Sequence, residues 1–353
     1  MNISGLITLY IHNIFDKYIW LMGEEHTLNK QCPTNIKSTT TYDLITDMGL
    51  NMLKTKKCLD LFLEGQYTHI YGQNIDFDDV DKKELEEYRK QSREMSNSNI
   101  GELGYVVGKN IRIHYIDPRQ IFNGDDQILY PVKVFTSFFP ELNNINIREH
   151  LDMSINEFKK LNIEEIIKLL IDPVPNKSKR MEFIKLVDLI NLSVKIINKY
   201  KHKKIKECNS EWILYYIPLI MKEYKKLSYI DKEIFTKTLF DTYKENYLDK
   251  IDKIDNIDNF EKYTKKYIPM LMALPMDVYS LCRLFIKFNK SRKNIELCNI
   301  ETINNVIIYG GSAHIENYNV FLLKLKSNLI YENIHPYNDL LCLLNVDLKY
   351  IFI

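Results

Sequence analysis

Ile19-Trp20-Leu21-Met22-Gly23-Glu24-Glu25-His26 is an apolar run that stops on a glycine, two carboxylates and an imidazole. A short continuous apolar run bounded by turn signals reads as a buried strand. A near match lies towards the other end of the chain, Val306-Ile307-Ile308-Tyr309-Gly310-Gly311-Ser312-Ala313-His314. Both give Gly-x-x-His directly after a hydrophobic strand, Gly23 to His26 and Gly311 to His314. In open α/β sheets, ligands bind where the carboxyl ends of strands give way to loops. Two strand ends that each deliver a histidine would converge if the strands were neighbours in one sheet.

The flanking sequence supplies the rest of a sheet. Ser38-Thr39-Thr40-Thr41 precedes Tyr42, Leu44, Ile45, Met48 and Leu53 at helical spacing, as capping hydroxyls would. Cys58-Leu59-Asp60-Leu61-Phe62-Leu63-Glu64-Gly65 then reads as a second strand ending in a carboxylate. Strand, helix and strand in this order make a βαβ opening. Residues 66–80 read as a loop, and 82–95 as a charged, exposed helix. The acidic cluster Asp76, Asp78, Asp79 and Asp81 lacks the order of a calcium loop and reads as solvated. Ile111 to Asp117 is a third strand, stopped at Pro118, with His114, Asp117 and Arg119 near its end. Residues 128–139 read as a strand or a lid-like loop. Residues 305–309 return to strand and 315–325 to helix. The apolar tail, Leu340 to Leu344 and Leu348 to Ile353, reads as a final sheet strand.

Between these parts the period changes. Ser154-Ile155-Asn156-Glu157 is a capping box. Helical spacing follows over 162–171, 179–200, 211–226, 230–248, 258–272 and 276–288, with no repeat period. The expected fold class is α/β: a mostly parallel central sheet flanked by helices, with a large all-helical insertion. The core falls over 1–150 and 301–353, the insertion over 151–300.

Composition narrows the function classes. The 353 residues carry a formal net charge of +1, so no global field calls for nucleic acid or an anionic membrane. No apolar run approaches the roughly 20 residues of a membrane span. The start, Met1-Asn2-Ile3-Ser4-Gly5, lacks the basic region and cleavage site of a secretory signal. Cys32, Cys58, Cys208, Cys282, Cys298 and Cys342 are scattered without a Cys-x-x-Cys pair. They read as reduced core residues of a cytoplasmic protein. Heavy use of Asn, Ile, Lys and Tyr suggests an AT-rich genome such as that of a large DNA virus or an intracellular parasite; if viral, the location is host cytoplasm or virion. The lysine-rich run 199–206 reads as a solvated helix end.

Imidazole and carboxylate ligands suit manganese, zinc, iron or cobalt, and two His with one Glu leave positions open for water. His26, Glu64 and His314 form such a set. Glu24 then stands as general base, with His114 and Arg119 positioning substrate or stabilising a developing oxyanion. Glu25 and Asp117 stand behind them as orienting groups. Either histidine alone reads as well as a core residue beside a glycine turn; the pair with Glu64 favours one shared site. His12, His69, His150, His202 and His335 fall outside this pattern. Ser312 lacks the Gly-x-Ser-x-Gly frame of a serine nucleophile.

Taken in order, Gly23-Glu24-Glu25-His26, Phe62-Leu63-Glu64-Gly65 and Gly310-Gly311-Ser312-Ala313-His314 resemble the signature of the erythromycin esterase-like, ChaN-like and TIKI/TraB superfamily. The resemblance implies an α/β core with paired Gly-x-x-His motifs and a Glu after the second strand. TIKI-type members imply a metal-dependent hydrolase of peptide bonds, and esterase-type members opening of a lactone with water as nucleophile. ChaN-type members imply haem or iron binding. Glu24, His26 and His314 fall on the motif positions, and Glu64 on the second-strand carboxylate. The expected function is an ester or peptide hydrolase with a small-molecule or peptide substrate. The alternative is an inactive member acting as a binding or structural protein, with a cleft for haem, metal or peptide. A protein partner would then bind through the helical region 152–288, which is larger than catalysis needs.

Overall fold

The structure is a computed structural model and describes residues 1–24, 32, 37–64, 111–116, 220, 223–248, 274–288, 303–335 and 342–352. Glu25, His26, Asp117 and Arg119 lie outside the described residues, as do the acidic loop, 82–95, 128–139, the capping box and the helices expected at 162–171 and 179–200. The described chain is mixed α/β, with two sheets and helices. It divides into two compact units, Met1–Asp117 with Lys287–Ile353, and Pro118–Ile286. Both junctions lie earlier in the chain than the bounds of 150 and 301 expected from periodicity.

In the first unit the larger sheet has six strands, β2 (Thr8–Ile14), β3 (Lys17–Glu24), β5 (Leu59–Leu63), β6 (Ile111–Tyr115), β7 (Asn305–Gly311) and β8 (Asn328–Ile334). They lie in the order β6-β5-β7-β3-β2-β8. β6 pairs with β5, β5 with β7, and β7 with β3, all in parallel. β2 is antiparallel to both β3 and β8. β7 thus enters between the two strands of the βαβ opening and sets Gly23 beside Gly310 and Glu24 beside Gly311.

The strand and helix periods explain the layers. Alternate strand residues share a face, so Leu59, Leu61 and Leu63, Trp20 and Met22, and Ile307 and Tyr309 bury against Leu44, Ile45, Met48 and Met52 of α1 (Thr41–Lys54). Thr40 caps α1: its hydroxyl accepts from the Asp43 N–H at 3.0 Å and donates to the Asp43 carboxylate at 2.9 Å. α3 (Ser312–Lys324) packs on β2, β3 and β7. Polar pins fix it there: the Tyr10 hydroxyl donates to Glu316 Oε2 at 2.6 Å, and His12 bonds Asn319 at 3.0 Å and Ser327 at 2.9 Å.

Two sequence expectations are corrected. The tail is not a strand over 348–352: Leu348–Ile351 is a helical turn, α4, capped by the Asp347 carboxylate, which accepts from Lys349 N–H. Among the described residues of the tail, Cys342–Leu343, β9, is strand, in a small sheet with β1 (Ile3–Ser4) and β4 (Thr39–Thr40). The cysteines are not all reduced: Cys32 and Cys342, 310 positions apart, form a disulfide, and Cys58 is disulfide-bonded as well. Spacing does not reveal such pairs because the small sheet, not local sequence, brings Cys342 beside Ser4 and Cys32. Cys282 is a buried free thiol. Among the described residues no helix is long and apolar enough to cross a membrane.

In the second unit, Asp231 caps α2 (Lys232–Tyr243), accepting from the N–H groups of Glu233 and Ile234, and a wider turn continues over Lys244–Leu248. Phe235, Leu239, Tyr243, Leu281 and Phe285 are buried, and the Tyr243 hydroxyl donates to Asp277. A second helical stretch covers 274–284 and ends where Phe285 N–H turns back to Cys282 and Ile286 bridges Leu227.

Candidate active site

Side chains from β3, β5 and α3 meet where β5 and β7 end. Glu64 follows β5 directly, and its N–H extends the ladder to Tyr309 O at 3.0 Å. Its side chain leans across β7, so that Oε2 accepts the Gly311 N–H at 2.7 Å. Glycine at 310 permits this: a Cβ there would sit 2.8 Å from Glu64 Oε2 and 3.3 Å from Glu64 Cβ. The helix begins at once after Gly311, with no side-chain cap. Its first turn therefore carries His314 back over the sheet end, Nε2 lying 3.6 Å from Glu64 Oε1. Both side chains are mostly buried, 12% and 7% exposed.

Gly23 seats that helix from the other side. A Cβ at 23 would fall 2.1 Å from Thr8 Oγ1 and 3.0 Å from the Ser312 backbone. Any larger residue would push the start of α3 off β3. Gly23 of the first motif and Gly310, next to the second, thus both serve close approach.

Glu24, the last residue of β3, accepts a hydrogen bond from the Tyr309 hydroxyl. Burial, the charge and hydrogen bond of Glu24, and the charge of Glu64 together hold the Tyr309 phenol well above its ordinary range. Tyr309 stays a proton donor and ties the two carboxylates into one electrostatic neighbourhood. Sequence reading passed over it as strand filler; its signal is an aromatic hydroxyl just ahead of the Gly-Gly turn.

His114 is placed elsewhere on the sheet. Its Nε2 lies 2.8 Å from Asp60 Oδ1, and its ring packs between Phe62 at 4.5 Å and Phe288 at 5.0 Å between centroids. Arg112 donates to both Asp60 oxygens, Nε at 2.7 Å and Nη2 at 2.8 Å. Burial opposes the Asp60 charge, but hydrogen bonds and charge from His114 and Arg112 hold its carboxyl below the usual range. Lys17, fully buried, donates to Ile303 O; burial lowers its ammonium to about 8 against the pull of Asp60. This is a buried charge cluster bracing β5 against β6. The sequence clue was Asp60 inside an apolar run, opposite Arg112.

Of the expected set the structure therefore brings Glu64 and His314 together, puts Glu24 on Tyr309 and engages His114 with Asp60. Among the described residues no group of three His, Cys, Asp or Glu side chains could hold a metal ion. Glu64 Oε1 and His314 Nε2 supply two donors of suitable chemistry. Two ligands of one tetrahedral zinc-type ion stand roughly 3.4 Å apart by its bond lengths, and the observed 3.6 Å is close to that. Compared with models of known protein families, with curated proteins and with solved structures, the chain matches none.

Proposed function

We propose that this chain is a hydrolase of ester or peptide bonds, of the erythromycin esterase, ChaN and TIKI type, working at the joined ends of β3, β5 and β7. On this reading the core is a mostly parallel sheet flanked by helices, interrupted by an all-helical insertion over 151–300. The observation that carries it is Glu64: anchored through one oxygen on Gly311 N–H, it turns the other to the His314 imidazole. A carboxylate fixed by one oxygen orients an imidazole and keeps a donor directed at a shared point.

His26, Glu64 and His314 would hold a divalent ion, which would supply Lewis acidity toward water or a carbonyl oxygen. Glu24, held by Tyr309, takes the proton of the attacking water and returns it to the leaving group. Tyr309 keeps Glu24 aimed and keeps its own proton. His114 has no direct part here, because Asp60 engages it in the buried cluster.

The test is turnover of an activated ester and of a quenched peptide library by the purified chain with Mn²⁺ or Zn²⁺ supplied. His314→Ala and Glu64→Gln should each lower kcat at least about a hundredfold, the scale of lost acid–base help. Ser312→Ala should leave it unchanged. Loss of turnover in the Ser312 variant alone would indicate a serine nucleophile and overturn the proposal.

A further inference from the structure

We propose that the working form of this chain is oxidised, and that the Cys32–Cys342 bond is a redox latch, closed over Ser4, that holds the C-terminal segment 342–352 on the core. Ser4 meets both cysteines: it is the backbone partner of Cys342 in the small sheet, and its hydroxyl accepts the Cys32 N–H at 3.3 Å. Thr41 in turn pins Ser4, donating from its hydroxyl to the Ser4 carbonyl at 2.9 Å. Both cysteines are thus held against one residue by contacts other than the bond between them.

The bond fastens a segment that also packs on the core. The segment gives Leu343, Val346 and Ile351 to the main core. Its other ties are short-range and non-covalent: β9 is two residues long, Met1 and Val346 exchange two backbone hydrogen bonds at 2.8 and 2.7 Å, Asn345 N–H donates to Asn2 Oδ1 at 3.0 Å, Asn333 Nδ2 donates to Leu344 O at 3.0 Å, Asp347 N–H donates to the Tyr331 hydroxyl at 3.3 Å, and Tyr350 stacks on Tyr331. Joining points 310 positions apart costs loop entropy that grows with length. A covalent closure removes that cost from the docked state.

Closure proceeds by exchange with a disulfide-bearing oxidant. One thiolate of the pair attacks the oxidant's disulfide, forming a mixed disulfide and releasing one thiol. The other thiolate attacks the protein sulfur of that mixed bond and releases the second. Two protein thiols are oxidised and one disulfide is reduced to two thiols, with protons conserved. Once closed, the sulfurs are shielded, Cys32 being 8% and Cys342 1% exposed. Reduction then requires the segment to lift. Cys282, fully buried with its thiol pKa pushed up by burial, serves as an internal reduced reference.

The experiment uses the full chain purified without reductant and alkylated with N-ethylmaleimide under denaturing conditions. Peptide mass spectrometry should find Cys32 and Cys342 joined and Cys282 alkylated. Refolding of reduced chain with glutathione disulfide should re-form the pair, about five-fold more slowly in Ser4→Ala, the effect of one lost hydrogen bond. Hydrogen exchange in Cys342→Ser should show protection lost over 342–352 and 1–6 while β3 and β7 keep theirs. Should that variant not fold, Cys32→Ser or native protein treated with a phosphine reductant gives the same readout. Alkylation of both cysteines without reduction, or full protection of 342–352 in the open form, overturns the proposal. Neither readout involves turnover, so the result is independent of the hydrolase reading.

Discussion

His12 shows what a single buried imidazole does to this fold. Its Nε2 donates to Asn319 Oδ1, which leaves Nδ1 to accept from the Ser327 hydroxyl. That arrangement suits the neutral ring, and burial lowers its pKa from 6.5 to about 4, with the Asn319 bond opposing. The folded state therefore binds the proton less well than the unfolded one. The stability it contributes is complete above pH 6.5 and falls by about 1.4 kcal/mol per pH unit down to about pH 4. Thermal unfolding from pH 7.5 to 5 should show this acid slope, and His12→Gln should flatten it; equal slopes would count against the assignment. Asp60 acts further down the scale, its contribution being lost only as pH falls through a folded pKa below 3.8. Glu64 and His314 were legible in the sequence because each ends an apolar run. Tyr309 and Asp60 were not, because their roles depend on strands brought together from distant parts of the chain.

At the scale of elements, the strands read from apolar runs coincide with β3, β5, β6 and β7, and the hydroxyl cluster with the cap of α1. The hairpin β2–β3 escaped notice because its two-residue turn is Phe15-Asp16, both at positive φ, 50° and 58°. A tight hairpin turn of this kind ordinarily carries Asn-Gly, the signal that sequence reading depends on. Phe15 is 47% exposed. Replacing Phe15-Asp16 with Asn-Gly should thus stabilise the chain by about 0.5–1 kcal/mol, seen as a rise in Tm. A fall would mean that Phe15 has a packing role. β8 was missed for another reason: an edge strand of mixed exposure, Asn-Leu-Ile-Tyr-Glu-Asn-Ile, lacks a continuous apolar signature. In the tail, apolar residues serve a helical turn as readily as a strand, and Asp347 marks the cap.

At the scale of the molecule, the first unit has its own core, its own sheet and both described members of the candidate ligand set. The chain leaves it after Asp117 and rejoins it at Lys287. His114 and Phe288, on either side of that gap, are in ring contact at 5.0 Å, so a short Gly-Ser linker can join the ends. A chain of 1–117 linked to 287–353 should unfold cooperatively on heating, followed by circular dichroism; a broad, non-cooperative loss would show that the first unit depends on 118–286. On the proposed reading the ends of β3, β5 and β7 build one site from His26, Glu64 and His314. Its most direct test is divalent metal per chain, by elemental analysis of protein purified without chelator, in wild type, His26→Ala and His314→Ala. One ion per chain is expected in wild type and none in either variant that stays folded; equal metal content in all three, or none in wild type, would rule the site out.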